Sequence, residues 1–175
     1  RLRLAAPGLS CRCLLPAVGV QGVVLPGGAS VLRARLGMLS YSVNTFNLPL
    51  VGEDGRSVAG QFSAHEHRFG IHAGEMETSM MLALTPGRVD MSQAQNFHST
   101  SQDRAEQFSI LGDGRSAKLA WQMQDYNAHG AAGNAAAATA DKGQALLSAM
   151  GRSLAQLLTQ IDQLPAHTLR ETTAL

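Results

Sequence analysis

The chain of 175 residues carries 14 Lys and Arg against 13 Asp and Glu, a net charge of +1, with 45% hydrophobic and 15% charged residues. That balance argues against a nucleic-acid binder held by a broad basic face, and the apolar runs fall short of the ~20 residues that a membrane-spanning helix needs. Two cysteines, Cys11 and Cys13, make neither a disulfide framework nor a four-ligand zinc site, so one soluble domain in a reducing cytoplasm is the expectation.

The first 32 residues differ in kind from the rest. No Asp or Glu occurs before Glu53, while Arg1, Arg3, Arg12, Arg33 and Arg35 all fall in that stretch. Pro7, Pro16 and Pro26 interrupt any period of 2 or 3.6, which predicts poor order and no regular element. The apolar run LLPAVGVQGVVLP suits a targeting segment less well than a truncated or frame-disturbed start, given its prolines and lack of a clear cleavage site. The organisation expected is an off-pattern segment 1–32, a domain over 33–165 and a tail 166–175.

From Gly37 the pattern becomes regular. MLSYSVNTF, Met38 to Phe46, is rich in β-formers and predicts a partly buried strand ended by Asn47 and Pro49. VGEDGRSVAGQ reads as a loop. Glu75 to Leu84 is helical by composition and stops at Pro86-Gly87. Residues 90–130 are polar and irregular, with a short strand expected around Ala117 to Met123. Between Thr139 and Leu164, the residues Leu146, Leu147, Met150, Leu154, Leu157, Leu158 and Ile161 recur at helical spacing, with Pro165 closing the helix and Asn134 as a candidate cap ahead of it. Strands mixed with covering helices predict an α/β layer architecture.

The stretch GIHAGEMETSMMLAL, Gly70 to Leu84, sets three ionisable groups ahead of an apolar run. An isolated buried carboxylate costs several kcal/mol unless something compensates it. If the helix begins near His72, then His72 and Glu75 share a face while Glu75 and Glu77 stand about 200° apart. One glutamate could then join His72 at a site while the other points into neighbouring structure or back towards backbone donors. Imidazole with carboxylate suits either a first-row metal or a base with its orienting group; acidic side chains that merely favour a helix N-terminus are the bland alternative. His65, His67, His98 and His129 read as solvated, the Met80-Met81 pair as core, and Trp121 as core or site lining. Neither a Gly-rich phosphate loop nor a nucleophile elbow occurs.

Over Phe69 to Met91, FGIHAGEMETSMMLALTPGRVDM resembles the signature of the creatininase (creatinine amidohydrolase) family, in which a His-(Gly/Ala)-Gly-Glu-x-Glu-Thr-Ser motif opens a helix. RARLGMLSYSVNTFNL, Arg33 to Leu48, is similar to the strand before that motif. GNAAAATADKGQALL, Gly133 to Leu147, resembles the family's Gly-(Asp/Asn)-Pro-x-x-Ala-Thr-x-Glu-Lys-Gly segment. The resemblance runs from about Arg33 to Leu164. It implies a three-layer α/β/α sandwich and a homo-oligomer, often a hexamer. It also implies a pair of divalent metals (Zn, Mn or Fe) that supply a bridging hydroxide to hydrolyse a small-molecule, non-peptide amide such as a cyclic amide or formamide. Matched residue by residue, it implies Glu75 as a metal ligand, His72 as the catalytic proton-transfer group and Glu77 as a second acid behind them.

The family's other ligands lie upstream, in a Glu-x-His-Gly segment, an Asp some ten residues later and an Asn-Gly-His-Gly-Gly-Asn loop. Here VVLPGGASVLRARLG stands where that loop belongs, with two glycines but neither the histidine nor the asparagines. The expectation is the C-terminal half of an amidohydrolase site, with a non-catalytic remnant or oligomerising module as the alternative.

Overall fold

The computed structural model describes residues 12–17 and 25–170. The calls on Cys11, on most of the run LLPAVGVQGVVLP and on the last five residues of the tail lie outside them. The chain divides into two compact units, one of residues 1–48 with 150–175 and one of residues 49–149.

In the first unit β1 (Arg12–Ala17) pairs in parallel with β2 (Leu39–Asn44), Arg12 opposite Leu39 and Ala17 opposite Asn44. The connection between them includes α1 (Leu25–Leu36), which packs on β2. Regular elements thus occur where the prolines predicted none. Pro26 stands in the first turn of α1, where its missing N–H forfeits no bond, and Pro16 lies in a two-stranded sheet in which every strand is an edge. Gly37, at φ +60°, ends α1 with its N–H on the Arg33 carbonyl. The predicted strand at Met38 to Phe46 is β2, and Thr45–Asn47 turn away as a 3-10 segment once the Asn44 side chain accepts the Phe46 N–H.

The second unit opens on a Val51–Ser57 bridge turned through Gly55, φ +75°. It continues with α2 (Ala64–Phe69), α3 (Glu75–Leu84), β3 (Asn96–Phe97), α4 (Thr100–Gln107) and β4 (Gly133–Asn134), which pairs antiparallel with β3. Helix α5 (Ala140–Asp162) contributes residues 140–149 to this unit and the remainder to the first. Its apolar stripe buries Leu146 and Ala149 in a core that includes Leu50, Val58, Phe62, Ala132, Ala135 and Ala138.

Two local expectations fail for visible reasons. Residues 117–122 form no strand: Asp125 captures the Gln122 N–H at 2.7 Å and winds Met123–Asp125 into a 3-10 turn. Asn134 does not cap α5, because it sits in β4; Thr139 does, its Oγ1 accepting the Lys142 N–H at 3.3 Å. Among the described residues no helix is long and apolar enough to cross a membrane.

Candidate functional site

Ser63 caps α2, its hydroxyl accepting the Glu66 N–H at 3.0 Å. In a capping box the Glu three residues on would reach back to the capping residue. Here Glu66 points the other way, into the unit, and is only 3% exposed. Its Oε1 accepts the Glu75 N–H at 2.6 Å and its Oε2 accepts the Asn134 N–H at 2.9 Å. Gly74, the residue before α3, has no side chain to cap the helix, and the Glu66 carboxylate fills that place from a distance. Glycines surround it. A Cβ on Gly70 would stand 2.5 Å from Glu66 Oε1, one on Gly133 3.0 Å away, and one on Gly74 would collide with the same oxygen.

Between α2 and α3 the chain runs against residue 132. Ala132 donates to the His72 carbonyl at 2.8 Å, and its own carbonyl accepts from Ile71 at 2.8 Å and from His72 at 3.3 Å. Ala73 then adopts φ +51°, a left-handed conformation uncommon for a residue with a Cβ. Both of its backbone groups are held by the first turn of α3: Glu77 Oε2 accepts the Ala73 N–H at 2.6 Å, and Thr78 Oγ1 donates to the Ala73 carbonyl at 3.2 Å.

This reversal decides which residues meet. Because α3 starts at Glu75 and not near His72, His72 and Glu75 do not share a helix face. His72 Nδ1 instead lies 3.4 Å from Glu77 Oε2, with half of the His72 side chain exposed. A carboxylate facing Nδ1 favours the tautomer with hydrogen there and leaves Nε2 to handle a proton. Glu75 is 5% exposed and accepts a 2.5 Å hydrogen bond from Lys142 Nζ, which also donates to the Ala137 carbonyl at 3.2 Å and stands 5.9 Å from the Phe62 ring centroid. The compensation that a buried carboxylate requires is thus an ammonium from α5.

One turn further along α3, Ser79 is fully buried and its Oγ accepts the Thr139 N–H at 3.1 Å. A Cβ on Gly143 would run into the Ser79 carbonyl, so α3 and α5 touch backbone to backbone there.

The remaining candidates lie elsewhere. His65 and His67 belong to α2 and bond to Gln102 Oε1 at 3.0 Å and to the Ala59 carbonyl at 2.8 Å. His98 pairs with Asp103 at 2.8 Å, and the His129 ring lies against Phe97. Trp121 packs edge-on to Tyr126, and Met81 is exposed rather than core. Asp113 holds the turn after α4: hydrogen bonds from the Ser116 hydroxyl and the Arg115 and Ser116 amides pull its carboxyl down to about 2. Sequence reasoning singled out neither Glu66 nor Lys142. A Ser-x-x-Glu string at Ser63 to Glu66, and the Lys of the Asp-Lys-Gly string, were the available signals.

Among the described residues no group of three His, Cys, Asp or Glu side chains comes together, and Glu75 already holds a cation in Lys142. These residues do not by themselves make a divalent metal centre.

The chain is thus an α/β protein in which the His72 imidazole and the Glu77 carboxylate meet beside the start of α3. The family model for creatininase, creatinine amidohydrolase, matches residues 19–158, beginning ahead of Arg33, and the chain belongs to that family. A crystal structure of a putative creatinine amidohydrolase from Bacteroides fragilis is 24% identical, with a TM-score of 0.64 over 87% of this chain and 54% of that one. A mutant type II creatininase is 18% identical, with a TM-score of 0.48 over 80% of this chain and 50% of that one. The chain spans about half the length of the solved structures it matches. No curated protein matches it.

Proposed function

We propose that the chain supplies the proton-handling part of an amidohydrolase that opens a non-peptide amide C–N bond, of cyclic amide or formamide type, in a small molecule. The observation that carries this reading is the His72–Glu77 pair in the HAGEMETS string. The ring is half exposed, its Nδ1 faces a carboxylate, and among the described residues no hydrogen bond engages its Nε2. Glu77 orients the imidazole and balances its charge when both nitrogens hold protons; Nε2 then delivers a proton to the departing nitrogen as the C–N bond breaks. The family is generally metal-dependent. Among the described residues no three His, Cys, Asp or Glu side chains gather to hold Zn, Mn or Fe, so the metal is a matter for the assay below.

The test is hydrolysis of a panel of cyclic amides and formamides by the protein with and without added Zn, Mn or Fe, comparing wild type with His72→Gln. The substitution is expected to lower kcat by about a hundredfold. Unchanged turnover in a folded His72→Gln protein would remove His72 from the chemistry.

A second reading has one observation in its favour. The family-matched Glu75 is bound to Lys142, as in a structural clasp, and this suits a non-catalytic member that retains the fold. Absence of turnover in the wild type across the panel, with every metal, would place that reading first.

A further inference from the structure

We infer that Glu66 is the positioning residue of the His72 site, an inference that rests on the role proposed for His72. Two separate pieces of backbone fix that imidazole, and both are tied to the one buried carboxylate. Through Oε2, Glu66 holds the Asn134 N–H and with it β4; two residues earlier, Ala132 clamps the backbone of Ile71 and His72. Through Oε1, Glu66 holds the first N–H of α3, whose first turn carries Glu77, the group that faces the ring. His72 and its partner are therefore set in register by a residue that hydrogen-bonds to neither side chain.

The surroundings suit a carboxylate in particular. Two N–H donors converge on two oxygens, and the N-terminal end of α3 adds a favourable field for negative charge. A glutamine would offer one acceptor and one NH2, setting a donor against one of the two backbone N–H groups. Glycine at 70, 74 and 133 leaves room for the carboxylate, since a methyl at any of the three would stand within 3.0 Å of its Oε1 or collide with it. Gly133 also takes φ +136°, a conformation that residues with a Cβ rarely adopt.

The experiment compares wild type, Glu66→Gln and Glu66→Asp as full chains with 15N-labelled histidine. Glu66→Gln is expected to speed hydrogen exchange of the Glu75 and Asn134 amides at least tenfold. It is also expected to move the His72 ring nitrogen signals towards an average of the two tautomers, while those of His98, paired with Asp103, stay in place. Glu66→Asp keeps both oxygens and should recover part of the His72 signature. If amide exchange quickens but the His72 ring signals match wild type in both variants, Glu66 is structural only and the proposal is overturned. If neither variant folds, Glu66 holds the fold and not the site, and the proposal falls as well. The proposed function fails separately: a His72→Gln protein with intact turnover would leave a positioned histidine that does no chemistry.

Discussion

Lys142→Met is expected to lower the unfolding free energy by about 3 kcal/mol, read as a lower midpoint in urea. The reason is an asymmetry between the partners. Glu75 is nearly sealed from water, its side chain 6% exposed, whereas the Lys142 side chain is 28% exposed. Removing the ammonium leaves a carboxylate without a counter-charge inside the unit, the costly way to break an ion pair. Removing the carboxylate instead, with Glu75→Gln, leaves a lysine that can extend to solvent, at a cost of about 1 kcal/mol. The double variant Glu75→Gln/Lys142→Met should therefore be more stable than Lys142→Met alone, a coupling that a double-mutant cycle isolates. Equal midpoints for wild type and both single variants would show that the pair clasps nothing. The same proteins address metal binding: metal content is expected to be equal in wild type and Glu75→Gln, and loss of metal from that variant alone would identify Glu75 as a ligand.

Gly143→Ala is expected to destabilise by about 3 kcal/mol, against the usual sign for such a change. In a helix interior, Ala is ordinarily favoured over Gly by about 1 kcal/mol. At Gly143 the new methyl would occupy the place of the Ser79 carbonyl, and that atom is backbone at a fully buried residue, so no side-chain rotation makes room. The helices must separate, which breaks the Thr139–Ser79 bond and loosens the Lys142–Glu75 pair. Gly151→Ala provides the control on the same helix, since a Cβ there meets nothing within 4 Å. It should stabilise by about 1 kcal/mol. If both substitutions stabilise alike, α3 and α5 are not in backbone contact at that point.

The long periodic elements were legible from the sequence. Helix α3 spans Glu75–Leu84 as composition indicated, and α5 spans Ala140–Asp162 where the Leu and Met period placed it. The short capped helices were not, because α2 and α4 are too brief and too polar for periodicity to register. Their signal was in the caps, Ser63 and Ser99, each followed three residues on by a Glu or Gln. Within the site, the motif marked His72, Glu75 and Glu77 but not their partners. Helical spacing paired His72 with Glu75, whereas the left-handed turn at Ala73 hands His72 to Glu77. Glu66 and Lys142 escaped notice because each acts on a residue distant in sequence, and one chain without its fold gives no sign of such pairs.

Those distances bear on how the protein is made. Glu66 finds one amide partner 68 residues downstream and Glu75 finds its ammonium 67 residues downstream. On the ribosome both carboxylates emerge long before either partner is translated. A nascent chain that has reached only residue 130 holds the whole HAGEMETS string, yet it lacks Asn134 and Lys142, so Glu66 Oε2 and Glu75 Oε1 must keep water in place of those partners. Closing loops of this length is entropically unfavourable until the contacts they bring are available. A stop codon after the codon for Ser79 and no later than that for Asn134 would thus leave a polypeptide with its most recognisable motif complete and with Glu66 and Glu75 both without their downstream partners.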